Sequence, residues 1–217
     1  MIILFPADIP ISKRILDLLA SSTGLILLSP FLLVISIVIL ASYGQPILFR
    51  QKRPGYLGKP FFIYKFRTMA EAFDSEGVLR PDVERLTRFG RFLRTMSIDE
   101  LPELLNVIRG EMSIVGPRPL LMQYLERYSS EQARRHNVLP GMTGWAQING
   151  RNAITWEDKF RYDVWYVDHW TFWFDMKIIA LTFWKVLLRE GINEPGRISA
   201  GEFMGTKRKP KNQNMNG

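Results

Sequence analysis

Residues 25–41 read Leu-Ile-Leu-Leu-Ser-Pro-Phe-Leu-Leu-Val-Ile-Ser-Ile-Val-Ile-Leu-Ala, and this apolar stretch decides the fold. It lies inside a longer segment, from Asp17 to Arg50, that has no charged residue between its two ends. An α-helix that crosses the hydrocarbon core of a bilayer needs about 20 apolar residues. The sequence therefore predicts a membrane helix within residues 1–49.

Basic residues flank both ends of this segment. Lys13 and Arg14 precede it, and Arg50, Lys52 and Arg53 follow it. Because basic flanks stay in the cytoplasm, one straight transmembrane span does not fit this pattern, whereas a helix that enters the membrane and leaves on the same side does. A plain transmembrane anchor remains the alternative, since spans tolerate proline. A cleaved signal peptide is disfavoured, because it has a shorter apolar core and a small-residue cleavage site.

A Ser-Pro pair, Ser29-Pro30, interrupts the apolar run. Proline donates no backbone N–H, and the ring of Pro30 would crowd the carbonyl of Ile26, so the pair predicts a break in the helix. The Ser29 hydroxyl can satisfy part of the backbone that the proline frees. The sequence therefore predicts a re-entrant membrane helix that is broken at Ser29-Pro30.

The chain is basic and contains no cysteine. Its net charge is +8, and residues 50–94 contribute +6 of this, with eleven Lys and Arg against five Asp and Glu. Beside a membrane segment, such a surface suits anionic lipid headgroups and phosphate-bearing substrates. No helix-turn-helix, zinc-finger or RNP-type pattern occurs in the sequence, so we expect no nucleic-acid partner. The lack of cysteine excludes disulfides, thiolate metal sites and a thiol nucleophile.

Hydrophobic periodicity after residue 49 predicts an α+β domain that is mainly helical. Residues 46–64 alternate apolar and polar side chains around two turn signals, which predicts a small β-hairpin that continues into a strand at residues 61–66. The pattern also predicts a turn at residues 140–144 and helices at residues 85–94, from about residue 98, and at residues 120–137, 156–166 and 172–188.

Three regions follow from these patterns. Residues 1–49 form the region of the re-entrant membrane helix, residues 50–206 a compact cytoplasmic domain, and residues 207–217 a basic disordered tail. The aromatic residues between 165 and 184 are denser than a core of this size needs, and tryptophan and tyrosine favour the membrane interface. We therefore expect interfacial amphipathic helices that lie on the bilayer surface.

Two adjacent carboxylates, Asp99 and Glu100, open the strongest predicted helix, whose apolar face runs from Ile98 to Met112. In one interpretation Ser97 caps the helix, Glu100 closes a capping box, and Asp99 complements the helix dipole. In the other, the pair forms a site for Mg²⁺ and a substrate phosphate, where a carboxylate can attack phosphorus directly. The two interpretations are compatible, because a cap can hold Asp99 in position.

Several basic and amide side chains are candidates for binding phosphate or nucleotide. Residues 116–119 (Gly-Pro-Arg-Pro) hold Arg118 between two prolines, which would present a pre-organised guanidinium. Lys65 alternates with an apolar neighbour in the predicted strand, and Arg94 lies just before the acidic pair. Each also fits a solvated surface position. A polar loop adds the donors Gln147, Asn149 and Arg151.

Taken together, these stretches resemble the bacterial sugar transferase family, the small monotopic phosphoglycosyl transferases. The resemblance runs from about residue 13 to residue 203, and its motifs occur in the order and at the spacing of the family. It is carried by the apolar segment with Ser29-Pro30, residues 64–69 (Tyr-Lys-Phe-Arg-Thr-Met), residues 94–102 (Arg-Thr-Met-Ser-Ile-Asp-Glu-Leu-Pro), residues 116–120 (Gly-Pro-Arg-Pro-Leu) and residues 140–151 (Pro-Gly-Met-Thr-Gly-Trp-Ala-Gln-Ile-Asn-Gly-Arg).

The resemblance implies a catalytic mechanism. Asp99 would attack the β-phosphate of a UDP-sugar, release UMP and hold the phospho-sugar covalently. Undecaprenyl phosphate would then displace the sugar phosphate, which gives a polyprenyl-diphospho-sugar. Glu100 would complete the Asp-Glu pair at a Mg²⁺ site. Further positions that match the family's active site are Arg94, Arg118, Arg151 and the carboxylate Asp163.

The resemblance also implies partners and a location. Residues 119–125 and 149–156 look most like members that transfer diacetylbacillosamine phosphate in bacterial protein N-glycosylation, so UDP-N,N'-diacetylbacillosamine or a related N-acetylated sugar is the favoured donor. Galactose, glucose and N-acetylgalactosamine donors stay open. Expected partners are the UDP-sugar, undecaprenyl phosphate and the lipid bilayer of the bacterial inner membrane. The catalytic domain is expected on the cytoplasmic face of that membrane. Association into a homo-oligomer is left open. The alternative function is a non-catalytic membrane-anchored protein that binds anionic lipids.

Overall fold

The computed structural model describes residues 5–6, 8–150, 153–188 and 201–205. In this part of the chain a long helix, α1 (Ile11–Tyr43), precedes a hairpin of strands β1 (Leu48–Pro54) and β2 (Pro60–Phe66). A mainly helical chain with little sheet confirms the predicted fold class. The other elements are α2 (Asp82–Arg85), α3 (Arg88–Thr95), α4 (Leu104–Arg109), β3 (Ser113–Val115), α5 (Ser130–Ala133), β4 (Gly141–Thr143), α6 (Trp145–Ile148), α7 (Trp156–Asp168) and α8 (Phe172–Leu188), with 3₁₀-helices at Tyr56–Gly58, Ile98–Glu103, Met122–Arg127 and Arg134–His136.

Helix α1 contains the apolar stretch that the sequence marks as a membrane helix. It has 33 residues, and its length and composition suffice to cross a membrane. Ser29 Oγ donates a hydrogen bond of 2.8 Å to the carbonyl of Ile26, the acceptor that Pro30 leaves free, as the sequence predicted. The helical backbone continues through Pro30 without interruption, and the bend stays a prediction.

The middle of α1 exposes its large apolar side chains. Ile26 and Leu27 are 72% and 73% exposed. An apolar face of this size in contact with water would be a liability, so such a surface marks a site of contact with lipid or another apolar partner. Further exposed apolar residues of this helix are Phe31, Leu33, Val34, Ile37 and Val38.

Charged side chains fasten the start of α1 to the rest of the protein. Lys13 is buried, and its Nζ lies 2.6 Å from a carboxylate oxygen of Asp175 on α8. Arg14, also buried, donates to the carbonyls of Val107 and Ile108, at 2.6 and 2.8 Å. A cation is favourable at this end of α4, where carbonyls lack helical partners. The basic residues before the membrane segment therefore bind within the protein instead of facing solvent.

The other end of α1 packs on the same domain. Ile35 and Ile39 form one buried apolar cluster with Phe66 of β2 and Leu93 of α3. Both ends of the membrane helix are thus in contact with one globular body.

Strands β1 and β2 pair antiparallel, from Leu48 opposite Phe66 to Pro54 opposite Pro60, which confirms the predicted hairpin. Side chains alternate between the two faces of a strand. Phe66 therefore packs against α1, while its neighbour Lys65 lies on the opposite face. The hairpin carries Lys65 to the side away from the membrane helix.

The predicted continuous helix from residue 98 is wrong. Ile98–Glu103 is a 3₁₀-helix, and the α-helix α4 begins only at Leu104. Pro102 cannot donate the hydrogen bond to the carbonyl of residue 98 that a regular α-helix requires there. Gly110, in the left-handed conformation with φ 81°, ends α4, so Met112 lies beyond the helix.

The predicted capping box is also wrong. Ser97 has φ 54° and ψ 21°, a left-handed conformation, and its side chain makes no cap hydrogen bond. The carboxylate of Glu100 turns instead to two cations described below.

Two further elements differ from the sequence prediction. Residues 120–137 form three short helices in place of one: the extended conformation of Tyr128 separates the first from the other two, and the 3₁₀-helix Arg134–His136 follows directly on α5. Residues 141–143, predicted as part of a turn, form strand β4, which pairs parallel with β3. The pairing brings the backbones so close that a Cβ on Gly141 would lie 2.0 Å from the nitrogen of Gly116.

Helices α7 and α8 confirm the helices predicted at residues 156–166 and 172–188. Trp173, Phe183 and Trp184 of α8 are exposed, whereas Ile178 of the same helix is buried in the core. An exposed aromatic face of this kind suits a membrane interface, and its contact with lipid stays a prediction. The predicted basic tail, residues 207–217, lies outside the described residues.

Candidate active site

Glu100 lies at the centre of a cluster of charged side chains. Its Oε1 is 2.5 Å from Nζ of Lys65, and Arg118 donates to both of its carboxylate oxygens. Lys65 also lies 3.2 Å from Oε1 of Glu103, so one ammonium group bridges two carboxylates. The structure thus brings together three residues that are far apart in sequence, and adds Glu103.

The local backbone explains this arrangement. Glu100 and Glu103 both belong to the 3₁₀-helix Ile98–Glu103. Side chains three residues apart eclipse each other in a 3₁₀-helix, so both carboxylates face the same direction and reach Lys65. Arg118 comes from the segment after β3, where a proline on each side limits the backbone.

Asp99 is buried beside this cluster and accepts no hydrogen bond from any of the described residues. Burial, and to a lesser degree the charge of Glu100, raises the pKa of Asp99 to about 6, against the opposing effect of Lys65, Arg94 and Arg118. At pH 7 the carboxylate is therefore mostly ionised, yet it is a stronger base than an ordinary aspartate. A free and unusually basic carboxylate is suited to attack an electrophile.

The pKa values of the other two carboxylates are shifted in opposite directions. Burial alone would raise the pKa of Glu100, but Arg118 and Lys65 outweigh it and hold that pKa well below its usual range. Burial and the charge of Glu100 raise the pKa of Glu103. The carboxylate of Glu100 raises the pKa of Arg118 further. Glu100 therefore stays ionised, and Glu103 is the first of the pair to take up a proton.

Arg94, at the end of α3, adds a further positive charge close to Asp99. Its Nε donates a hydrogen bond of 3.0 Å to Oγ1 of Thr68, and no described residue accepts a hydrogen bond from the terminal nitrogens of its guanidinium. The surroundings of Asp99 can therefore bind an anion such as a phosphate.

The other carboxylate predicted for the site, Asp163 on α7, lies outside this cluster. It is buried and forms hydrogen bonds of 2.7 and 3.0 Å with the guanidinium of Arg135. Arg135 in turn donates to the backbone carbonyl of Arg118 at 2.7 Å. Asp163 therefore supports the segment that carries Arg118.

Among the described residues, no hydrogen bond or ion pair links the predicted polar loop to the cluster around Glu100. Gln147 donates to the carbonyl of Met142 at 3.2 Å, and Asn149 donates to the carbonyl of Trp145 at 2.8 Å. Both amides thus stabilise the local backbone around α6. Arg151 lies outside the described residues.

Sequence reasoning missed two charged residues near the site. Glu103 follows Glu100 by three residues, and that spacing on a predicted helix was the signal that could have found it. Arg53, at the end of β1, lies close enough to Arg118 for the two charges to interact. Nothing local to Arg53 indicates this, because Arg118 lies 65 positions further along the chain.

Comparison with known proteins identifies the family of this chain. The sequence profile of the bacterial sugar transferase family matches residues 9–189. The chain is 55% identical over 196 residues to a protein of Bacillus subtilis (strain 168) named uncharacterized sugar transferase EpsL. This match covers 90% of this chain and 97% of that protein.

Other relatives carry an activity in their names. The chain is 43% identical over 183 residues to the UDP-glucose:undecaprenyl-phosphate glucose-1-phosphate transferase of Klebsiella pneumoniae, and 39% identical over 197 residues to the galactosyl transferase CpsE of Streptococcus agalactiae serotype III (strain NEM316). These matches cover 80% and 83% of this chain but only 39% and 43% of the relatives, so the chain spans about two-fifths of their length. With the family profile matched over most of its length, the chain belongs to the bacterial sugar transferase family.

Proposed function

We propose that the protein transfers a sugar 1-phosphate from a UDP-sugar to undecaprenyl phosphate and releases UMP. The observation that carries this proposal is the contrast between two neighbouring carboxylates. Glu100 is neutralised by Lys65 and Arg118, whereas Asp99 is buried, basic and free of hydrogen bonds from the described residues. This difference suits Asp99 as the nucleophile and Glu100 as the group that orients the cations.

In the proposed first step, an oxygen of Asp99 attacks the β-phosphorus of the UDP-sugar. The bond between that phosphorus and the bridging oxygen breaks, UMP leaves with the electron pair, and the sugar phosphate is held as an acyl phosphate on Asp99. In the second step, a phosphate oxygen of undecaprenyl phosphate attacks the same phosphorus and releases the Asp99 carboxylate. Two displacements at one phosphorus need little from the protein beyond positioning and charge stabilisation.

Arg94, Arg118 and Lys65 supply that charge stabilisation in the proposal. Arg118 and Lys65 are held by Glu100, so their orientation is set before substrate binds. A pre-organised cation stabilises developing charge without the cost of reorganisation during the reaction.

Mg²⁺ is the proposed cofactor, with Asp99 and Glu100 as its protein ligands. Among the described residues no cluster of three or more acidic, histidine or cysteine side chains forms a complete metal cage. Mg²⁺ commonly binds one or two carboxylates together with substrate phosphates, and the carboxylate of Asp99 is free to do so. The ion would neutralise the charge of the diphosphate.

An apolar groove of about 860 Å³ lies between α1 and the hairpin and supports the choice of a lipid-linked acceptor. It opens beside the membrane helix and reaches Pro102, which belongs to the same 3₁₀-helix as Asp99. We assign the groove to the apolar chain of undecaprenyl phosphate, whose phosphate must approach Asp99. Its lining includes Leu25, Leu32, Leu48, Phe66, Pro102 and Leu105.

Measurement of UMP tests the proposed function. Purified protein with Mg²⁺ and a UDP-sugar alone should release about one equivalent of UMP, and addition of undecaprenyl phosphate should make the release catalytic. The donor panel should contain UDP-N,N'-diacetylbacillosamine, UDP-glucose, UDP-galactose and UDP-N-acetylgalactosamine, because this assay decides which sugar the protein transfers. Binding to anionic vesicles without UMP release from any donor would favour the non-catalytic lipid-binding alternative.

We further propose that α1 is re-entrant and that the domain lies on the cytoplasmic face of the inner membrane. Contact of both ends of α1 with one globular domain supports this topology, because a straight span would carry one end to the other side of the bilayer.

Cysteine labelling tests this topology in a chain that has no cysteine of its own. Ile11→Cys and Lys52→Cys replace exposed residues near the two ends of α1, and Leu27→Cys replaces an exposed residue in its middle. In intact cells we expect no labelling of any variant by an impermeant thiol reagent. In inverted membrane vesicles we expect labelling at positions 11 and 52 only, and detergent should expose position 27. Labelling of positions 11 and 52 from opposite sides of the membrane would contradict the re-entrant topology and show that α1 spans the bilayer.

A further inference from the structure

Arg53 is a cation near the active site that has no role in the mechanism above. It lies at the end of β1 on the same face of the hairpin as Lys65. Successive cross-strand pairs point to alternate faces, and the pair of Arg50 with Tyr64 lies on the opposite face from both residues. Its Nη2 donates to Oε1 of Gln51 at 2.6 Å, and its Nη1 donates to the carbonyl of Pro119 at 3.5 Å.

Three observations make this guanidinium unusual. Its Nε is inaccessible to solvent and has no hydrogen-bond partner among the described residues. No carboxylate of the described residues forms an ion pair with it, although the cluster around Glu100 is close. Burial and the positive charge of Arg118 lower the pKa of Arg53 to about 10, and Glu103 opposes them only in part.

Such a side chain destabilises the free protein. A partly buried charge costs free energy unless a counter-charge and hydrogen bonds compensate it, and a second cation beside it adds repulsion. A ligand of opposite charge that accepts from the remaining donors of the Arg53 guanidinium would reduce this cost. Four cations (Arg53, Lys65, Arg94 and Arg118) against three carboxylates (Asp99, Glu100 and Glu103) make an anion the fitting ligand.

We propose that Arg53 binds the α-phosphate of the uridine nucleotide, next to Arg118, and so holds the leaving group of the first displacement. Arg118 contacts Glu100, which adjoins the proposed nucleophile, and is therefore assigned to the phosphate under attack. Arg53 makes no contact with Glu100, so its donors are left for the second phosphate. This inference rests on the proposed function, which supplies the nucleotide.

Binding of UMP and uridine to the full-length protein in detergent tests the inference. We expect Arg53→Gln to weaken UMP binding about 10- to 100-fold, the effect of losing a hydrogen bond to a charged group, and to leave uridine binding unchanged. Lys52→Gln is the matched control, since it removes the adjacent positive charge from the opposite face of the same strand, and it should bind UMP like the wild type.

Thermal melting separates a ligand-binding role from a structural one. Without nucleotide, Arg53→Gln should melt at the same temperature as the wild type or higher, because the substitution removes an unpaired cation. The increase in melting temperature on addition of UMP should shrink in this variant only. A lower melting temperature without nucleotide, with equal losses of UMP and uridine binding, would assign Arg53 to the fold.

The outcome for the wild type distinguishes this inference from the proposed function. If wild-type protein binds UMP and Arg53→Gln binds it equally well, only the inference about Arg53 is wrong. If wild-type protein neither binds UMP nor releases it from any UDP-sugar, both are wrong.

Discussion

Replacement of Asp99 by asparagine should lower UMP release by a factor of about 10³ or more, as expected for loss of a nucleophile. The amide has the same shape but no anionic oxygen to attack phosphorus. The fold should remain intact, because the described residues donate no hydrogen bond to the Asp99 carboxylate. The substitution also removes repulsion from Glu100, part of what raises the pKa of Asp99, so stability should be equal or greater. UMP release and a thermal melt of the same preparation measure both effects.

Mass spectrometry supplies the direct observation for Asp99. Wild-type protein incubated with a UDP-sugar should carry a phospho-sugar on the peptide that contains Asp99, and Asp99→Asn should not. Asp82→Asn is a suitable control, since it makes the same chemical change at an exposed aspartate of α2. Near-normal turnover of Asp99→Asn would assign Asp99 a structural role and remove the covalent intermediate from the mechanism.

The second large effect is expected from Glu100→Gln, with a loss of about 10²- to 10³-fold in kcat, the range seen when a pre-organised electrostatic group is removed. The neutral amide cannot balance Lys65 and Arg118 together, and its NH₂ group would face one of these donors. Both cations would then lose the orientation that the proposed mechanism needs. Steady-state UMP kinetics measure the loss, and a double substitution with Arg118→Lys should cost less than the sum of the two single effects, because both act on one interaction.

Glu103→Gln is the matched control for this prediction. Glu103 shares Lys65 with Glu100 and is the more buried of the two, but its raised pKa already brings it close to the neutral form. Its replacement should therefore cost much less activity than that of Glu100. Equal losses for the two variants would mean that the position of Lys65, and not the charge of Glu100, controls the reaction.

Several parts of this protein could be predicted from the sequence because they depend on neighbouring residues. The membrane helix follows from an uncharged apolar run, and the bond from Ser29 to the carbonyl of Ile26 follows from the missing N–H of Pro30. The hairpin and helices α7 and α8 likewise follow from the periodicity of their hydrophobic residues and from turn residues only a few positions away. The adjacency of Asp99 and Glu100 is a fact of the sequence itself.

Other parts were decided only by the tertiary structure. The capping box at Ser97 failed because Glu100 finds two cations, 35 positions before it and 18 after it. Strand β4 exists only because β3 lies beside it, and three-residue strands leave no periodic signal. Local patterns report what a residue can do with its neighbours, and tertiary contacts then select among those possibilities.

The difference in environment between the two adjacent carboxylates has the same origin. Sequence places Asp99 and Glu100 side by side and cannot distinguish them, since both are acids at the start of one element. The fold turns Glu100 toward Lys65 and Arg118 and buries Asp99 without a hydrogen bond from the described residues. Burial and the distances between charges set a pKa, and both depend on segments that meet only when the chain is folded. The sequence by itself therefore determined the long apolar helix and the chemical groups of the candidate site, and the tertiary structure decided which of the two carboxylates is paired with cations and which is free of hydrogen bonds from the described residues.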